Sequence, residues 1–231
     1  MDPDTAARLR AEMVQRQLRG RGIRDEAVLA AMAAVPRELF VPSDLRNHAY
    51  SDDALPIEVG QAISQPYMVA QMTELLAPRS GMRVLEVGTG SGYQAAVLST
   101  IGCRVISIER HAELAETALA RLAQLNLLDR VRVEVGDGSS GRPEDAPFEG
   151  IVVTAAAPTV PAALREQLTE GGRLVVPVGS VDRQELVLVV RHGDDFEERP
   201  CGSCVFVPLV GAGGFDERSS RRRPWFGRLR L

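Results

Sequence analysis

From residue 82 onward, short runs rich in β-branched residues alternate with segments of helical periodicity, and this alternation constrains the fold more than any other feature of the chain. The runs cover residues 83–87, 104–109, 131–135, 150–154, 173–178 and 185–190, and helical segments at 91–99, 111–125 and 161–168 lie between them. Strands and helices at this spacing build βαβ units, whose crossovers bury a mostly parallel sheet between covering layers. The expected class is therefore α/β, a doubly wound and mostly parallel sheet. The last two runs, together with residues 205–209, lack long helices between them and predict an antiparallel hairpin at the sheet edge.

Ahead of this core the pattern is helical. Asp4 is placed to cap a helix running to about Leu18, with Leu9, Met13 and Leu18 near one face and Gly20 as its stop. Asp25 is placed to cap a second helix, and Pro66 suits the first turn of a third that passes Met72 and Leu76 and ends near Pro78. Residues 44–65 read as irregular chain. The expected organisation is an N-terminal helical elaboration carrying an acceptor segment (1–78), an α/β core continuous with it (79–214) and a basic tail (215–231).

Composition removes several chemistries. All 27 basic residues of the 231 are Arg, so a Schiff-base lysine, a P-loop lysine and a lysine general base are excluded. Three cysteines, Cys103, Cys201 and Cys204, form no disulfide framework. The N-terminal residues have no apolar h-region, and no apolar run reaches the roughly 18–20 residues of a membrane span. The expectation is a soluble, cytoplasmic protein with no metal and no membrane partner. The net charge of −4 divides into −8 over residues 1–214 and +4 over the tail, where six arginines stand against Asp216 and Glu217. Such a tail is either a plain C-terminal extension or a contact for nucleic acid, an anionic membrane or the acidic body.

The motifs that carry chemistry sit at strand ends. The first strand runs through Glu86 into Gly88-Thr89-Gly90-Ser91-Gly92 and then directly into a helix. Glycines let the backbone turn tightly beside a ligand, while free N–H groups at the helix start point toward it. Taken alone, the turn reads equally well as one that merely needs small residues. The second strand ends in Glu109, where doubly wound sheets place an acid that takes the two ribose hydroxyls of a nucleotide. The third ends in Gly136-Asp137-Gly138, whose Asp137 either accepts from an adenine amino group or stabilises its own turn. The G-x-G-x-G spacing, the preceding Glu86 and the Asp137-Gly138 pair resemble the S-adenosylmethionine site of class I methyltransferases more than an NAD site. Glu86 is then expected to pair with the ammonium of the cofactor's amino-acid end. Ser64, just before a helix start, reads by residue type as a cap, or as part of a neutral anion-binding corner able to orient a carboxylate. A carboxylate acceptor is already ionised and needs no general base. No arginine is required by such a transfer, and local neutral donors near Ser64 are expected to hold the acceptor.

The residues Leu55-Pro56-Ile57, Gly60-Gln61-Ala62-Ile63-Ser64-Gln65-Pro66 and Leu85-Glu86-Val87-Gly88-Thr89-Gly90-Ser91-Gly92-Tyr93-Gln94 resemble the protein-L-isoaspartate O-methyltransferase family. The likeness continues through Ser107-Ile108-Glu109-Arg110, Gly136-Asp137-Gly138, Ala146-Pro147-Phe148, Gly171-Gly172-Arg173-Leu174 and Phe206-Val207-Pro208-Leu209, over roughly residues 8–210. It implies methylation, by S-adenosylmethionine, of the α-carboxyl of L-isoaspartyl residues in damaged proteins, followed by spontaneous closure to a succinimide that hydrolyses partly to normal aspartate. It also implies roles for matching positions: Ser64 as active-site serine, Ile63 and Pro66 beside the substrate, Gly88 to Gly92 as the cofactor loop, Glu109 as ribose acid and Asp137-Gly138 at the adenine. Two departures are Ala62, where the family usually has Thr, and Glu149, where it usually has Asp. Cys201-x-x-Cys204 has metal-like spacing without a second pair or a nearby His. Competing readings are a methyltransferase for another carboxylate or a nucleic-acid base, and a binding module using its arginine tail. The segment Thr154-Ala155-Ala156-Ala157-Pro158 lacks the Pro-Pro-aromatic pattern of a base methylase.

Overall fold

The computed structural model describes residues 1–217, and the six arginines of the expected tail lie outside the described residues. Helix α1 (Pro3–Glu12) is capped by Asp2, whose carboxylate accepts from the Thr5 N–H. The cap thus falls two residues before the expected Asp4. Pro3 explains the shift, because proline at the first helical position has no N–H to satisfy and its φ is already helical; Asp4 is left in the first turn, where its charge favours the dipole. The helix continues as a π-helical stretch over Met13–Leu18. It stops at Gly22, not Gly20, since Gly22 takes the left-handed cap conformation with φ +103°. Helix α2 (Glu26–Ala34) is capped by Asp25 as expected, through the Ala27 and Val28 N–H groups. The stretch read as irregular holds a 3₁₀ segment (Ser43–His48) and a small antiparallel pair, β1 (Leu55–Pro56) with β2 (Ala62–Ile63). Helix α3 (Pro66–Leu76) follows.

The core then alternates β3 (Arg83–Val87), α4 (Tyr93–Ile101), β4 (Arg104–Glu109), α5 (Ala112–Gln124), β5 (Val131–Val135), β6 (Phe148–Val153), α6 (Ala162–Glu166), β7 (Leu168–Ser180), β8 (Arg183–His192) and β9 (Asp195–Cys204). One seven-stranded sheet has the order β5-β4-β3-β6-β7-β8-β9. The strands from β3 to β7 pair in parallel, and β8 and β9 pair antiparallel at one edge. Side-chain alternation divides the β-branched runs between two cores. Val84, Val105 and Val152 pack with Met72, Leu98 and Leu122 of the helices α3, α4 and α5. Leu85, Val87, Ile108 and Val153 pack on the other face with Leu164 of α6. Each such buried aliphatic side chain contributes about 1.5–3 kcal/mol.

The antiparallel edge departs from expectation. Its outer strand is Asp195–Cys204, not residues 205–209. This segment reads as polar because it is an edge: most of its side chains are exposed, and it carries the charges and the proline that blunt an unpaired strand. The 205–209 segment leaves the sheet. Val207 accepts from the Ala156 N–H and Leu209 donates to the Ala156 carbonyl, which brings this part of the chain to the carboxyl ends of the parallel strands.

Candidate active site

The strand order reverses between β3 and β6, because the chain leaves β3 toward β5 on one side and returns to β6 on the other. Open α/β sheets bind ligands outside the carboxyl ends at this switch point. A cavity of about 420 Å³ opens there, within the range of small-molecule sites. Its walls are the turns after β3, β4, β5 and β6, with β2 and the chain leading into α3 opposite them.

The glycine turn is shaped from behind. Gly88 has φ +95°, and a Cβ there would lie 2.4 Å from the Thr154 Oγ1, whose hydroxyl donates to the Gly88 carbonyl. A Cβ on Gly138 would lie 2.7 Å from a Val87 methyl. These two glycines let the turns after β3, β5 and β6 close on one another without displacing side chains into the cavity. Glu109 joins two of the turns. It is 5% exposed and accepts from the Gly90 N–H at 2.9 Å and the His111 N–H at 3.0 Å. An ionised carboxylate offers about four acceptor positions, so two remain for hydroxyl donors in the cavity.

Gly88, Thr89, Gly90, Ser91, Glu109 and Gly138 line the cavity from the sheet side, and Ile63 and Ser64 face them from β2 and the following residue. Four expected residues do not line it. Gly92 starts α4 in a left-handed conformation packed on Ala118, and Pro66 is buried in the first turn of α3. Asp137 is exposed, and its two carboxylate oxygens accept from the Ser139 and Ala212 N–H groups at 2.9 Å each. Asp137 thus makes the hydrogen bonds of its turn reading, and it also holds the segment at Ala212. Burial raises its pKa, but these hydrogen bonds outweigh that effect and lower it overall.

Glu86 requires a correction. It is fully buried, shares the face of Val84 toward α4, and does not line the cavity where an ammonium is expected to meet it. Strand alternation dictates this: Val87, not Glu86, is turned to the opposite face beside Gly138. Glu86 Oε2 accepts from the Ser107 hydroxyl, which also bonds Thr89 Oγ1. Burial pushes the Glu86 carboxyl up to about 8, against the Ser107 hydrogen bond and with help from nearby Glu109. Through Ser107 it braces the glycine turn at Thr89.

Ser64 is not a helix cap. The cap position of α3 is Gln65, and no side chain caps that helix. The Ser64 carbonyl accepts from Nη2 of Arg37 at 2.8 Å, and the residue lines the cavity. Arg37 was not singled out by any sequence pattern. Arg121 was missed as well: half-buried, it donates to the Ser91 carbonyl and pairs with Glu58 at 3.2 Å, fastening the turn between β1 and β2 to the glycine loop. That turn contains Val59 at φ +56°, a conformation a β-branched residue rarely adopts. Of the two departures from the family pattern, Ala62 lines the cavity. Glu149 lies inside β6, not before it, and binds Arg79 and the Arg83 N–H at the amino end of the sheet, away from the cavity. Cys201 and Cys204 lie unpaired on β9, and among the described residues no group of three or more His, Cys, Asp or Glu is arranged to hold a metal.

A sequence model of the protein-L-isoaspartate(D-aspartate) O-methyltransferase family matches residues 9–214. The chain belongs to this family. It is 56% identical over 209 residues to a protein-L-isoaspartate O-methyltransferase of Methylorubrum populi, covering 89% of this chain and 98% of the relative. A Methanoculleus marisnigri relative of the same name is 51% identical over 215 residues, covering 93% and 97%. Among solved structures, a protein-L-isoaspartate O-methyltransferase superposes with a TM-score of 0.78 at 30% identity, covering 89% of this chain and 67% of that one. A putative Plasmodium falciparum member, in complex with S-adenosyl-L-homocysteine, superposes with a TM-score of 0.76 at 24% identity over 87% of this chain and 98% of its own, which shows the shared fold. The doubly wound sheet expected from the alternation, and the class I methyltransferase fold that the motif resemblance implied, are both what this family shows. Among the described residues, no helix is long and apolar enough to cross a membrane.

Proposed function

We propose that this chain repairs damaged proteins by transferring the methyl group of S-adenosylmethionine to the free α-carboxyl of L-isoaspartyl residues. The observation that carries the reading is that the Ile63-Ser64 edge and the Gly88–Ser91 turn, the two signatures of the family, face one cavity. The donor set fits the cofactor: Glu109 keeps acceptor capacity for two ribose hydroxyls, and Gly88 and Gly138 leave the strand ends without side chains where a nucleoside would lie. When bound, the cofactor supplies an electrophilic methyl group.

The chain's own residues supply position. Glu109 anchors the ribose end, the backbone of residues 88–91 follows the amino-acid end, and Gly138 borders the adenine. Ser64 donates its hydroxyl to one oxygen of the acceptor carboxylate, leaving the other aligned for attack; holding reactants in near-attack geometry is the main source of acceleration available here. The acceptor is ionised at neutral pH, so no group of the chain has to remove a proton. Ile63 and Ala62 border the acceptor peptide. The substrates are isoaspartyl-containing proteins and peptides, and free Cys103, Cys201 and Cys204 suit a cytoplasmic, reducing location. Incubation with labelled cofactor and matched L-isoaspartyl and L-aspartyl peptides tests this reading. Label is expected on the isoaspartyl peptide alone; equal labelling, or none, contradicts it.

A further inference from the structure

Behind Ser64 lies a buried cation that the methyl transfer, as described so far, does not use. Arg37 is 0% exposed, among the largest fully buried side chains of the molecule. Its Nε donates to the Ala49 carbonyl at 2.7 Å and its Nη2 to the Ser64 carbonyl at 2.8 Å, while its guanidinium carbon lies 4.8 Å from the centre of the Tyr93 ring. Nη1 is buried with no hydrogen-bond partner. No carboxylate lies within ion-pair distance of it among the described residues; Glu38, next in sequence, is taken by the Tyr50 hydroxyl and by Arg10 at 3.9 Å. Burying a charge without a counter-charge is costly, and proteins ordinarily pair it. Burial accordingly draws the guanidinium down to about 10, against the nearby Tyr93 and Tyr50, yet it remains a cation at neutral pH. Arg37 does not itself line the cavity, but Ser64 and Tyr93, both of which it touches, do, so its charge would act on a bound carboxylate from one layer behind the cavity wall.

We propose that Arg37 is the positioning residue of the acceptor subsite: it fixes Ser64 through its backbone carbonyl and supplies a buried positive charge that the incoming isoaspartyl carboxylate completes. This inference rests on the proposed repair activity and adds to it the origin of carboxylate selectivity. The body of the chain is acidic, so the overall field opposes an anionic acceptor, whereas a buried charge acts at short range and is weakly screened by salt. The same contact fixes the backbone of Ser64, which precedes the cap position of α3 and lines the cavity. A lysine at this position keeps the charge but lacks the planar fork that reaches the Ala49 and Ser64 carbonyls together.

The test separates charge from scaffolding. With S-adenosylhomocysteine saturating, so that nothing can be transferred, the binding of an isoaspartyl peptide is compared with that of the same peptide bearing an α-carboxamide. Wild-type protein is expected to prefer the carboxylate by about tenfold or more. Arg37→Lys is expected to keep that ratio within about threefold while its kcat falls by about tenfold, and Arg37→Gln to bring the ratio close to unity. A residue that only holds the fold would shift both affinities together and leave the ratio alone. The proposal is overturned if wild type shows no preference, if Arg37→Lys loses it, or if Arg37→Gln keeps it. Should Arg37→Gln fail to fold, the wild-type and Arg37→Lys ratios decide. Failure of wild type to methylate the isoaspartyl peptide at all would instead overturn the repair reading itself.

Discussion

The two walls of the cavity are built by different means. The wall proposed for the cofactor consists of turns that start where paired parallel strands end, so the sheet register sets where each begins, and glycines let them close on one another. The wall proposed for the acceptor has no such frame. It is a two-residue pair of strands, a turn with Val59 at positive φ, and irregular chain held by side chains from elsewhere, Arg37 under Ser64 and Arg121 across to Glu58. A repeated supersecondary unit can supply a cofactor site, whereas a site for a particular acceptor depends on long side chains reaching from separate segments. The first is robust because the hydrogen-bonded ladder is redundant. The second places single residues under strain or burial, as at Val59 and Arg37.

Substitutions on each wall should therefore fail differently. The largest effect is expected for Glu109→Ala, which removes the proposed ribose acceptor and also the partner of the Gly90 and His111 N–H groups. With hydrogen bonds to a charged group contributing about 1.5–3 kcal/mol each, cofactor affinity should fall by roughly 100-fold, measured by titration with S-adenosylhomocysteine. A loss below about fivefold would show that the cofactor wall does not depend on this carboxylate.

Glu86→Gln probes the brace below that wall. The folded-state pKa of Glu86 lies near 8, above the ordinary carboxyl value of 4.5. The folded protein therefore holds this proton more tightly than the unfolded chain does. The stabilisation from the protonated carboxyl is full below about 4.5 and is lost as pH rises through about 8. The melting temperature of Glu86→Gln relative to wild type should accordingly climb between pH 5 and 9, with little change in cofactor affinity at pH 6. A difference that stays constant with pH would contradict this account of the buried carboxyl.

Glu149→Asp restores the residue usual in the family and carries the smallest expected effect. Its ties to Arg79 and the Arg83 N–H are at the amino end of the sheet and partly exposed. Thermal unfolding should register less than about 1 kcal/mol, and turnover on an isoaspartyl peptide should not change. A turnover change would mean that the far edge of the sheet communicates with the acceptor wall.

The contrast between the walls also explains what could be read from the sequence. The parallel strands were legible because β-branched alternation, helix periodicity and turn glycines all point the same way between residues 82 and 178. Glu109 and the Gly88–Ser91 turn followed from their positions at strand ends. Glu86 did not, because assigning it to the ligand ignored that neighbouring strand residues point to opposite faces. The edge strand Asp195–Cys204 escaped notice since an exposed edge carries no apolar period, and the more apolar 205–209 attracted the assignment in its place. Arg37 left no local trace at all: its partners, Ala49 and Ser64, are 12 and 27 residues away and are bound through backbone carbonyls. Residue type left Ser64 divided between a helix cap and an anion-binding corner, and the family resemblance pointed to the second.

The division between the walls is tested most directly by titrating S-adenosylhomocysteine into Ser64→Ala, alongside its turnover on an isoaspartyl peptide. Ser64 touches the acceptor and not the cofactor turn in this account, so affinity should stay within about threefold of wild type while turnover falls by about tenfold or more. A loss of cofactor affinity as large as the loss of turnover would make Ser64 part of the cofactor scaffold and contradict the account.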